Sequence, residues 1–384
     1  MLPSKKTIGI IGGGQLGKML IEAGKPWNVR YAILETQDAP ASGISDVHIV
    51  GSITNSEKIT ELSEICDVIT YEIEHINIEA LHKLEAAGKT IIPSPKILEM
   101  IQDKGLQKSF FRENQIPSTN FELAENPSEW EAKLARLNGR KVAAKLRKGG
   151  YDGRGVELLD KSAVLANTAH IPFQGPVVLE EFVENATELS VIVARSADGS
   201  ICTFPTAEME FDPKANLVEF LFAPAETDSE TDLRARNIAM DCIVKMQGVG
   251  LFAVEMFLDS DKQIFVNEIA PRPHNSGHHT IEACYTSQYE QLNRILLGMP
   301  LGNTELIMPA AMINILGVDG ISGPYEMTGL DHILAMKGVY IHLYNKAETK
   351  PKRKMGHITI LGDTLEQVRQ KTAEVRQHLG MKAL

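Results

Sequence analysis

The chain has 384 residues, of which 43% are hydrophobic and 23% are charged, a composition typical of a globular protein with two or three domains. The net charge of -11 argues against a general nucleic-acid binder, although a local basic pocket for a phosphorylated small molecule remains compatible with it. No segment approaches the roughly 18 apolar residues of a membrane span, and the N-terminal apolar segment is too short for a signal peptide. We therefore expect a cytoplasmic protein that binds neither nucleic acid nor membranes.

The cysteines give a further indication of the compartment. Four of them, Cys66, Cys202, Cys242 and Cys284, are scattered along the chain without paired spacing. This pattern indicates a reducing compartment and no zinc site.

The N-terminal third begins with a strand, a glycine-rich turn and a helix. The β-branched run Thr7 to Ile11 leads into GGGQLG, and a second strand, Tyr31 to Leu34, ends at Glu35. This pattern matches the dinucleotide-binding fingerprint, with Glu35 about where an acidic ribose ligand is expected. An NAD-dependent oxidoreductase is therefore one hypothesis. The alternative is that the turn only lets a helix pack tightly on its strand and offers backbone N–H groups to any anion.

Further strands alternate with helical stretches up to about residue 100, which predicts a doubly wound parallel sheet. They are expected at His48 to Val50, Val68 to Tyr71 and Thr90 to Ile92. In the motif YEIEHI, Glu72, Glu74 and His75 lie near the carboxyl end of one strand, where such sheets bind ligands. An ordinary surface role for these three residues is the alternative.

A glycine-rich basic loop is predicted in the middle of the chain. Lys141 to Leu146 and Val156 to Leu159 are expected to pair as strands, and the segment between them, RKGGYDGRG, has four glycines among nine residues. We interpret it as a lid over nucleotide phosphates, although its spacing does not fit a Walker A loop. A mobile hairpin tip is the alternative. The backbone of the next strand, Val177 to Val183, could bind an adenine edge, with Glu188 as a ribose ligand.

Two carboxylates are embedded in consecutive apolar runs. Glu255 lies in Gly248 to Leu258, and Glu268 follows the strand-like run Gln263 to Val266, with the turn DSDK between the runs. If that turn has an even number of residues, the two acids share a face of the hairpin, roughly 5 to 8 Å apart between Cβ atoms. Carboxylates this close repel each other, so a divalent cation, preferably Mg²⁺, is expected between them. A solvated sheet face with two unrelated acids is the alternative.

The segment Asn267 to His279, NEIAPRPHNSGHH, is the most chemically loaded part of the chain. Its prolines prevent a helix, so its polar side chains are expected on a shaped loop that follows a strand. Loops held in this way by a rigid scaffold often carry catalytic groups.

These motifs together resemble the 5-(carboxyamino)imidazole ribonucleotide synthetase family of ATP-grasp enzymes. The resemblance rests on Lys145, GGYDGRG, VLEEFV, Glu188, AVEMF and above all NEIAPRPHNSGHH, and it extends from GGGQLG to RKMGH at Arg353 to His357. It implies ligation of bicarbonate to the exocyclic amine of 5-aminoimidazole ribonucleotide, driven by ATP cleavage to ADP and phosphate through carboxyphosphate, in purine biosynthesis. It also implies Mg²⁺, with Mn²⁺ as the alternative, and a homodimer.

The resemblance further implies an α/β fold that becomes α+β in its later domains. An N-terminal Rossmann-like parallel sheet domain, a small hairpin-bearing lid domain and a mixed-sheet C-terminal domain are expected. The corresponding units are residues 1–102, the ATP-grasp lid at 108–183, the ATP-grasp core at 184–300, and a C-terminal extension at 301–384 that packs on the core.

Site residues are carried over from the family position by position. The expected ATP-binding residues are Lys104, Lys145, Gly150, Tyr151, Asp152, Gly153, Arg154, Gly155, Val156, Glu180, Glu181, Phe182, Val183, Glu188, Asn267 and Glu268. The metal carboxylates are Glu255 and Glu268. The ribonucleotide is expected to contact Gln15, Leu16, Tyr151, Asp152, Arg154, Arg272, His274, Asn275, Lys346 and Arg353. Catalytic roles are expected for Arg272, His274 and Lys145.

Some roles stay open at this point. His274 could relay a proton or only position the substrate. YEIEHI departs from the version YEFEN of relatives, so the resemblance assigns no role to Glu74 or His75. The basic cluster from Lys346 to Arg353 is either a phosphate clamp or a solvated hairpin tip. The closest alternative enzyme is another ATP-grasp ligase acting on a purine precursor, such as the formate-dependent glycinamide ribonucleotide transformylase.

Overall fold

The computed structural model describes residues 5–150, 155–166, 170–212 and 217–384. Three large sheets follow each other along these parts of the chain, and one separate strand pair is formed within the C-terminal region. Among the described residues, no helix combines the length and the apolar character needed to cross a membrane.

The first sheet is parallel, and its strands lie in the order β3–β2–β1–β4. These are β1 (Thr7–Ile11), β2 (Arg30–Glu35), β3 (Val47–Val50) and β4 (Val68–Tyr71), with helices α1 (Gln15–Gly24), α2 (Ser56–Glu64) and α3 (Ile78–Ala86) after β1, β3 and β4. The doubly wound sheet predicted from the sequence is confirmed. The predicted strand Thr90 to Ile92 is wrong, because Ile91 forms only an isolated parallel bridge with Ile69.

Two helices, α4 (Pro95–Ile101) and α5 (Lys104–Glu113), lead from the first sheet to the second. The carboxylate of Asp103 accepts hydrogen bonds from the backbone N–H groups of Gly105 and Leu106 and thereby starts α5. This cap determines where the side chain of Lys104, the first residue of the helix, can point.

The second sheet is antiparallel and has the order β5–β8–β6–β7. Its elements are β5 (Phe121–Ala124), α6 (Trp130–Leu134), β6 (Lys141–Leu146), β7 (Val156–Asp160), α7 (Lys161–Leu165) and β8 (Val177–Glu181). A small core that includes Trp130, Val142 and Leu179 holds it together. The hairpin β6–β7 that was predicted to carry the glycine-rich loop is confirmed.

The third sheet has nine strands in the order β14–β13–β9–β11–β12–β15–β18–β17, with β10 paired to β9. The strands are β9 (Thr187–Arg195), β10 (Ile201–Thr203), β11 (Ala207–Asp212), β12 (Leu217–Ala223), β13 (Gly250–Leu258), β14 (Ile264–Ala270), β15 (Ala310–Leu316), β17 (Val339–Leu343) and β18 (Lys354–Leu361). The pair β16 (Tyr325–Thr328) and β19 (Gly380–Ala383) stands apart. The helices are α8 (Ser229–Lys245), α9 (Thr280–Ala283), α10 (Gln288–Leu297), α11 (Leu330–Ala335) and α12 (Leu365–His378).

The predicted fold class, α/β with a later α+β part, is confirmed, but the pairings within this third sheet are antiparallel where a mixed sheet was expected. Strand β15 of the C-terminal region pairs with β12 of the preceding region, so both regions share one sheet. The four domain boundaries given above stay a prediction.

The N-terminal sheet is anchored on the third sheet through α1 and α10. The Tyr31 hydroxyl donates to Asn293 Oδ1 at 2.8 Å, and Asn293 Nδ2 donates to the Leu20 carbonyl at 2.9 Å. Tyr31 belongs to an apolar cluster that includes Leu20, Leu292 and Leu296, and the Asn293 side chain is fully buried. This buried polar link sets the glycine-rich turn before α1 against the third sheet.

Candidate active site

The two predicted metal carboxylates lie opposite each other on the β13–β14 hairpin. Leu258 pairs with Ile264, so the turn comprises the five residues 259–263, and continuation of that register would pair Glu255 with Asn267. A β-bulge after Glu255 inserts one residue and brings Glu268 opposite Glu255. The condition derived from the sequence, an even number of turn residues, is therefore wrong, and the bulge produces the expected juxtaposition instead.

Three carboxylates surround this point, and their charges are only partly compensated. Burial raises the pKa of Glu255, and the neighbouring carboxylates of Glu268 and Glu188 raise it further. The Lys104 ammonium forms a hydrogen-bonded ion pair with Glu268 and holds its pKa below the ordinary range. Burial raises the pKa of Glu188 to about 7, with Lys145 opposing the change. The site therefore favours one more positive charge.

The donor atoms at this point suit a hard cation. Glu255 and Glu268 offer carboxylate oxygens, and Asn267 between them on the chain offers an amide oxygen. The Glu255 side chain is 14% exposed, whereas that of Glu268 is 40% exposed and opens to solvent. An all-oxygen set with an open side fits Mg²⁺, which keeps waters and takes phosphate ligands, better than zinc.

A buried cluster of opposite charges supports Lys145. Glu180 is 2% exposed and lies 3.0 Å from Lys108 Nζ and 3.3 Å from Lys145 Nζ, and it accepts a hydrogen bond from Thr119 Oγ1 at 2.8 Å. Burial would raise the pKa of Glu180, but the two lysines outweigh it and lower the pKa to about 2. Lys145 also donates to Asn267 Oδ1 at 2.8 Å. Glu180 and Asn267 thus hold the Lys145 ammonium beside the hairpin carboxylates.

The adenine-binding segment expected from the resemblance begins on β8. Glu180 and Glu181 are its last two residues, and Phe182 and Val183 follow the strand in the connection to β9, with the Phe182 side chain 40% exposed. Glu181 Oε2 accepts from Asn120 Nδ2 at 2.8 Å. Glu180 points into the buried cluster, so its side chain is not placed to meet a base.

Asp103 and Arg147 connect the lid sheet to α5. The Arg147 guanidinium binds both oxygens of Asp103, at 2.9 and 2.8 Å, and the Lys104 N–H donates to the Arg147 carbonyl at 2.9 Å. Arg147, which the sequence places beside the nucleotide lid, is therefore engaged in a bidentate ion pair within the protein. Gly150, Gly155 and Val156 lie at the base of the lid hairpin. Tyr151, Asp152, Gly153 and Arg154 lie outside the described residues.

The glycine-rich turn after β1 already binds an anion of the protein itself. One oxygen of the Glu72 carboxylate accepts from the Gly14 N–H, and the other accepts from the Gly17 N–H at 2.6 Å. Glu35, the expected ribose ligand, accepts from the Gly13 N–H at 3.2 Å. A Cβ atom on Gly14 would lie 2.7 Å from Glu72 Oε1, which explains the glycine. The phosphate position of a dinucleotide site is thus filled, which argues against the NAD hypothesis.

The loop after β14 presents an arginine and an amide. Arg272 Nη2 lies 3.0 Å from Glu74 Oε1, so Glu74, whose role the sequence left open, anchors this guanidinium. Arg272 Nε and Asn275 Nδ2 are buried donors with no acceptor among the described residues. Burial of such donors is costly unless a ligand accepts from them. Both therefore suit contact with a substrate.

His274 connects this loop to the carboxylates. Its Nε2 lies 3.2 Å from Glu255 Oε1, and its Nδ1 lies 2.9 Å from Ser276 Oγ. Its backbone N–H donates to Gln288 Oε1 at 2.9 Å. A Cβ atom on Gly277 would lie 2.4 Å from that same Gln288 oxygen, so a larger residue here would displace the Gln288 amide. The ring is held from both nitrogens at the border between the carboxylates and the loop.

A stack of three histidines, two of them buried and one half-buried, joins the loop to the C-terminal strands. The His357 ring on β18 lies between His278 and His342, with centroids 4.5 and 4.4 Å away. Burial lowers the pKa of both His278 and His357 well below the ordinary value, so their rings are neutral. The Tyr344 hydroxyl lies 2.9 Å from His357 Nδ1, and that of Tyr289 lies 3.0 Å from His278 Nδ1. This stack was missed from the sequence because its members are far apart along the chain.

The predicted phosphate residues are only partly brought together. Lys346 Nζ donates to the Lys354 carbonyl at 2.7 Å and lies 3.5 Å from Gln15 Oε1, so the C-terminal hairpin reaches the glycine-rich turn. Arg353 is adjacent to Lys354, but its guanidinium donates to the Glu348 carbonyl at 2.7 Å. Leu16 is buried in the core of the first sheet, so its side chain is not placed to bind a ligand.

An open cleft lies at this junction of the first sheet and the C-terminal hairpin. It has a volume of about 530 Å³ and is lined by Lys18, Gly43, Leu343, Asn345 and Lys346, among others. A cleft with two lysines in its wall suits an anionic ligand.

Comparison with known families places each region of the chain. Residues 5–102 match the ribonucleotide synthetase preATP-grasp domain, residues 109–289 match the ATP-grasp domain, and residues 310–371 match the phosphoribosylaminoimidazole carboxylase C-terminal domain. The chain spans about two thirds of the length of fungal relatives named phosphoribosylaminoimidazole carboxylase. That of Schizosaccharomyces pombe is 38% identical, and the match covers 94% of this chain and 66% of the relative.

Other relatives match over nearly their full length. The N5-carboxyaminoimidazole ribonucleotide synthase of Bacillus subtilis is 37% identical over 92% of this chain and 91% of its own. The crystal structure of the synthetase from Thermotoga maritima is 41% identical, with a TM-score of 0.89 over 99% of this chain and 100% of that one. The synthase of Aspergillus clavatus in complex with ADP and 5-aminoimidazole ribonucleotide is 30% identical, with a TM-score of 0.86 over 98% and 99%. The resemblance and the ATP-grasp fold inferred from the sequence are confirmed: the chain belongs to the N5-carboxyaminoimidazole ribonucleotide synthase family.

Proposed function

We propose that the protein ligates bicarbonate to the exocyclic amine of 5-aminoimidazole ribonucleotide at the expense of ATP, with N5-carboxyaminoimidazole ribonucleotide, ADP and phosphate as products. The observation that carries this proposal is the continuity of one strand and loop. Asn267 and Glu268, near the end of β14, lie where the metal and the ATP phosphates are proposed to bind. Arg272 to Asn275, a few residues later, lie where the ribonucleotide is proposed to bind. This continuous segment supports a proposal in which the two halves of the reaction lie side by side.

Lys104 and Lys145 are the cations proposed to bind the ATP phosphates. Each is already paired with a carboxylate or an amide oxygen on or near the hairpin, so its position is set before ATP binds. When bound between Glu255 and Glu268, Mg²⁺ would supply charge compensation for the phosphates. The excess of negative charge around Glu255 supports this metal position.

The first chemical step is attack of a bicarbonate oxygen on the γ-phosphorus of ATP, which gives carboxyphosphate and ADP. Carboxyphosphate is unstable in water, so exclusion of solvent by the lid is required before it breaks down to CO₂ and phosphate. The amine nitrogen then bonds to the CO₂ carbon, and its proton passes to the phosphate or to His274. The position of His274, 3.2 Å from Glu255, is compatible with proton relay and with positioning.

Arg272 and Asn275 are proposed to hold the reacting end of the ribonucleotide. Their buried, unsatisfied donors match the oxygens of a carboxylate or of carboxyphosphate. The Glu74 carboxylate holds the Arg272 guanidinium through Nη2, and Nη1 donates to the Pro273 carbonyl at 3.2 Å, which leaves Nε for a ligand. Glu74 thereby acts as a positioning residue.

The 5′-phosphate of the ribonucleotide is proposed to lie near Gln15 and Lys346. The contact between these two side chains, 3.5 Å long, joins the glycine-rich turn to the C-terminal hairpin beside the open cleft. Arg353 would join them after its guanidinium leaves the Glu348 carbonyl, an exposed hydrogen bond that is easily exchanged. Tyr151, Asp152 and Arg154 would complete the acceptor site from the lid, as the resemblance implies.

The homodimer, the cytoplasmic location, and the domain boundaries at residues 102, 108, 183 and 300 complete the proposal. They rest on the family resemblance and on composition.

ATP hydrolysis measured with and without bicarbonate and 5-aminoimidazole ribonucleotide tests the proposed function. Full turnover should require both, and Glu326→Gln, which alters a surface ion pair with Lys382, should leave it unchanged. Turnover supported by formate in place of bicarbonate would instead indicate a transformylase. ATP cleavage that depends on neither compound would contradict the proposal.

A further inference from the structure

Two histidines and a glutamate converge on the surface of the C-terminal region, on elements that contribute no residue to the candidate active site. His332 lies on α11, and Glu374 and His378 lie at the end of α12. One ligand atom from each side chain lies within 4.8 Å of the other two, and this is the one such group of three found within the described ranges. His332 Nε2 is 2.8 Å from Glu374 Oε1, and the rings of His332 and His378 stack with centroids 3.9 Å apart.

We propose that these three side chains bind one transition-metal ion of the zinc class at a site separate from the Mg²⁺ position. Two imidazole nitrogens and one carboxylate oxygen are a donor set that binds Zn²⁺, with water in the fourth position. The same donors are unsuited to Mg²⁺, which prefers oxygen ligands throughout. The absence of paired cysteine spacings in the sequence does not bear on this site, because its ligands are histidine and glutamate.

The backbone positions are suited to such a site. Glu374 and His378 are four residues apart on α12, so they lie on one face of the helix with Cβ atoms about 5–6 Å apart. Zinc bonds of about 2.0–2.2 Å require ligand atoms roughly 3.3 Å apart in a tetrahedron, so the ligand atoms need to move by about 1 Å. One of the two stacked rings must also turn so that its nitrogen points at the ion. His332 and Glu374 are 46% and 47% exposed, so they can adjust without disturbing the core.

The electrostatic surroundings also favour a cation. His378 is the last residue of α12, where the unpaired carbonyl groups of the helix end carry partial negative charge. Two nearby basic side chains of α12 are engaged elsewhere. Arg376 pairs with Glu219 at 2.6 Å, and Lys371 donates to the carbonyls of Lys337 and Leu361.

A metal ion here would tie α11 to α12. Residues 336–338 alone separate α11 from β17, which carries His342 of the histidine stack and leads to Lys346. The expected effect is therefore stabilisation of the C-terminal region, with no part in the chemical step. Without a metal, the ion pair between His332 and Glu374 and the stacking of His378 on His332 would account for these contacts, so metal binding has to be measured directly.

Isothermal titration of the full-length protein with ZnCl₂ in excess MgCl₂, without ATP because its phosphates bind zinc, tests the proposal. His378→Ala removes one ligand from an exposed position, and His82→Ala is the matched control. The control breaks a similar exposed pair, His82 with Glu99 at 3.2 Å, which has no third ligand among the described residues. We expect one zinc equivalent that binds at least tenfold more weakly to His378→Ala, with no change in His82→Ala.

A second measurement keeps the assignment independent of folding. Co²⁺ bound to the native protein should give the intense visible absorption of a tetrahedral site, and this absorption should disappear in His378→Ala but persist in Glu268→Gln. Zinc should also raise the thermal unfolding midpoint of the parent and not that of His378→Ala. Equal zinc binding by parent and His378→Ala, or loss of binding only in Glu268→Gln, would overturn the proposal.

Discussion

Replacement of Lys108 by methionine separates the structural from the catalytic part of the buried charge cluster. Lys108 and Glu180 are 3% and 2% exposed and lie 3.0 Å apart. Lys145 contacts the same carboxylate from the side of the cleft, 3.3 Å away and 11% exposed. Methionine keeps most of the volume and the apolar stem of lysine, so the change removes mainly the charge. We expect Lys108→Met to reduce stability and Lys145→Met to reduce catalysis.

The expected cost follows from the partners that remain. Loss of one member of a buried ion pair costs about 3–5 kcal/mol, because the other charge is left uncompensated. Glu180 keeps Lys145 and the Thr119 hydroxyl after the change, so we place the cost of Lys108→Met near the lower end, at about 3 kcal/mol. That is a large share of the roughly 5–15 kcal/mol that stabilises a typical domain.

Urea unfolding of the two variants and the parent measures the loss of stability, and steady-state kinetics with ATP measures the loss of catalytic activity. Lys145→Met should lose at least about a hundredfold in kcat, the usual effect of removing a donor that stabilises transition-state charge, with a smaller loss of stability than Lys108→Met. The double variant Lys108→Met/Glu180→Gln should recover part of the lost stability. A Lys108→Met protein within about 1 kcal/mol of the parent would refute the role given to this pair.

Four further variants test other parts of the site. Glu268→Gln should remove nearly all ligase activity and leave the unfolding curve little changed, since a neutral amide cannot replace a metal carboxylate; near-normal turnover would place the metal elsewhere. Glu74→Gln should raise the KM for the ribonucleotide about tenfold, the equivalent of about 1.4 kcal/mol, and leave the KM for ATP unchanged, because its arginine partner loses its anchor. An equal effect on both substrates would contradict that role. Burial raises the pKa of Glu188 to about 7 from an ordinary value of about 4.3, so folding takes up a proton between these values and stability falls as the pH rises through this window. Glu188→Gln should show a shallower fall in urea-unfolding free energy than the parent, and parallel curves would count against it. His357→Phe should raise the KM for the ribonucleotide several-fold without affecting the KM for ATP. The reason is that the Tyr344 hydroxyl, two residues before Lys346 in the chain, loses its hydrogen-bond partner on His357. An unchanged KM for the ribonucleotide would show that the histidine stack has no positioning role.

The paired carboxylates could be predicted from the sequence because each interrupts an apolar run and a turn separates the runs. Their exact register could not, because a β-bulge depends on how β13 and β14 fit the rest of the sheet. The sequence argument assumed an even turn and no bulge, whereas the hairpin has an odd turn and one bulge. These two differences cancel, so the predicted pair of carboxylates is correct. The segment Thr90 to Ile92 does meet β4, but only through the single bridge of Ile91 with Ile69, and β propensity alone does not determine how far a pairing extends.

The buried polar partners were beyond sequence reasoning. Lys108 lies within α5, where a lysine ordinarily indicates a solvated face, yet it is buried by the lid sheet. Glu72 was recognised at a ligand-binding sheet edge, but its partner is a turn 58 residues earlier in the chain. Such contacts depend on tertiary packing. The one signal available was the unusual glycine content of the turn, which indicated an anion without identifying it.

The fate of the bicarbonate oxygens tests the central claim most directly. Bicarbonate labelled with ¹⁸O is supplied with ATP, Mg²⁺ and 5-aminoimidazole ribonucleotide, and the released phosphate is examined by mass spectrometry. Attack of bicarbonate on the γ-phosphorus predicts transfer of one ¹⁸O atom to phosphate in each turnover, with carboxylated ribonucleotide formed in equal amount. Product formation with unlabelled phosphate would show that bicarbonate is not phosphorylated and would contradict the account.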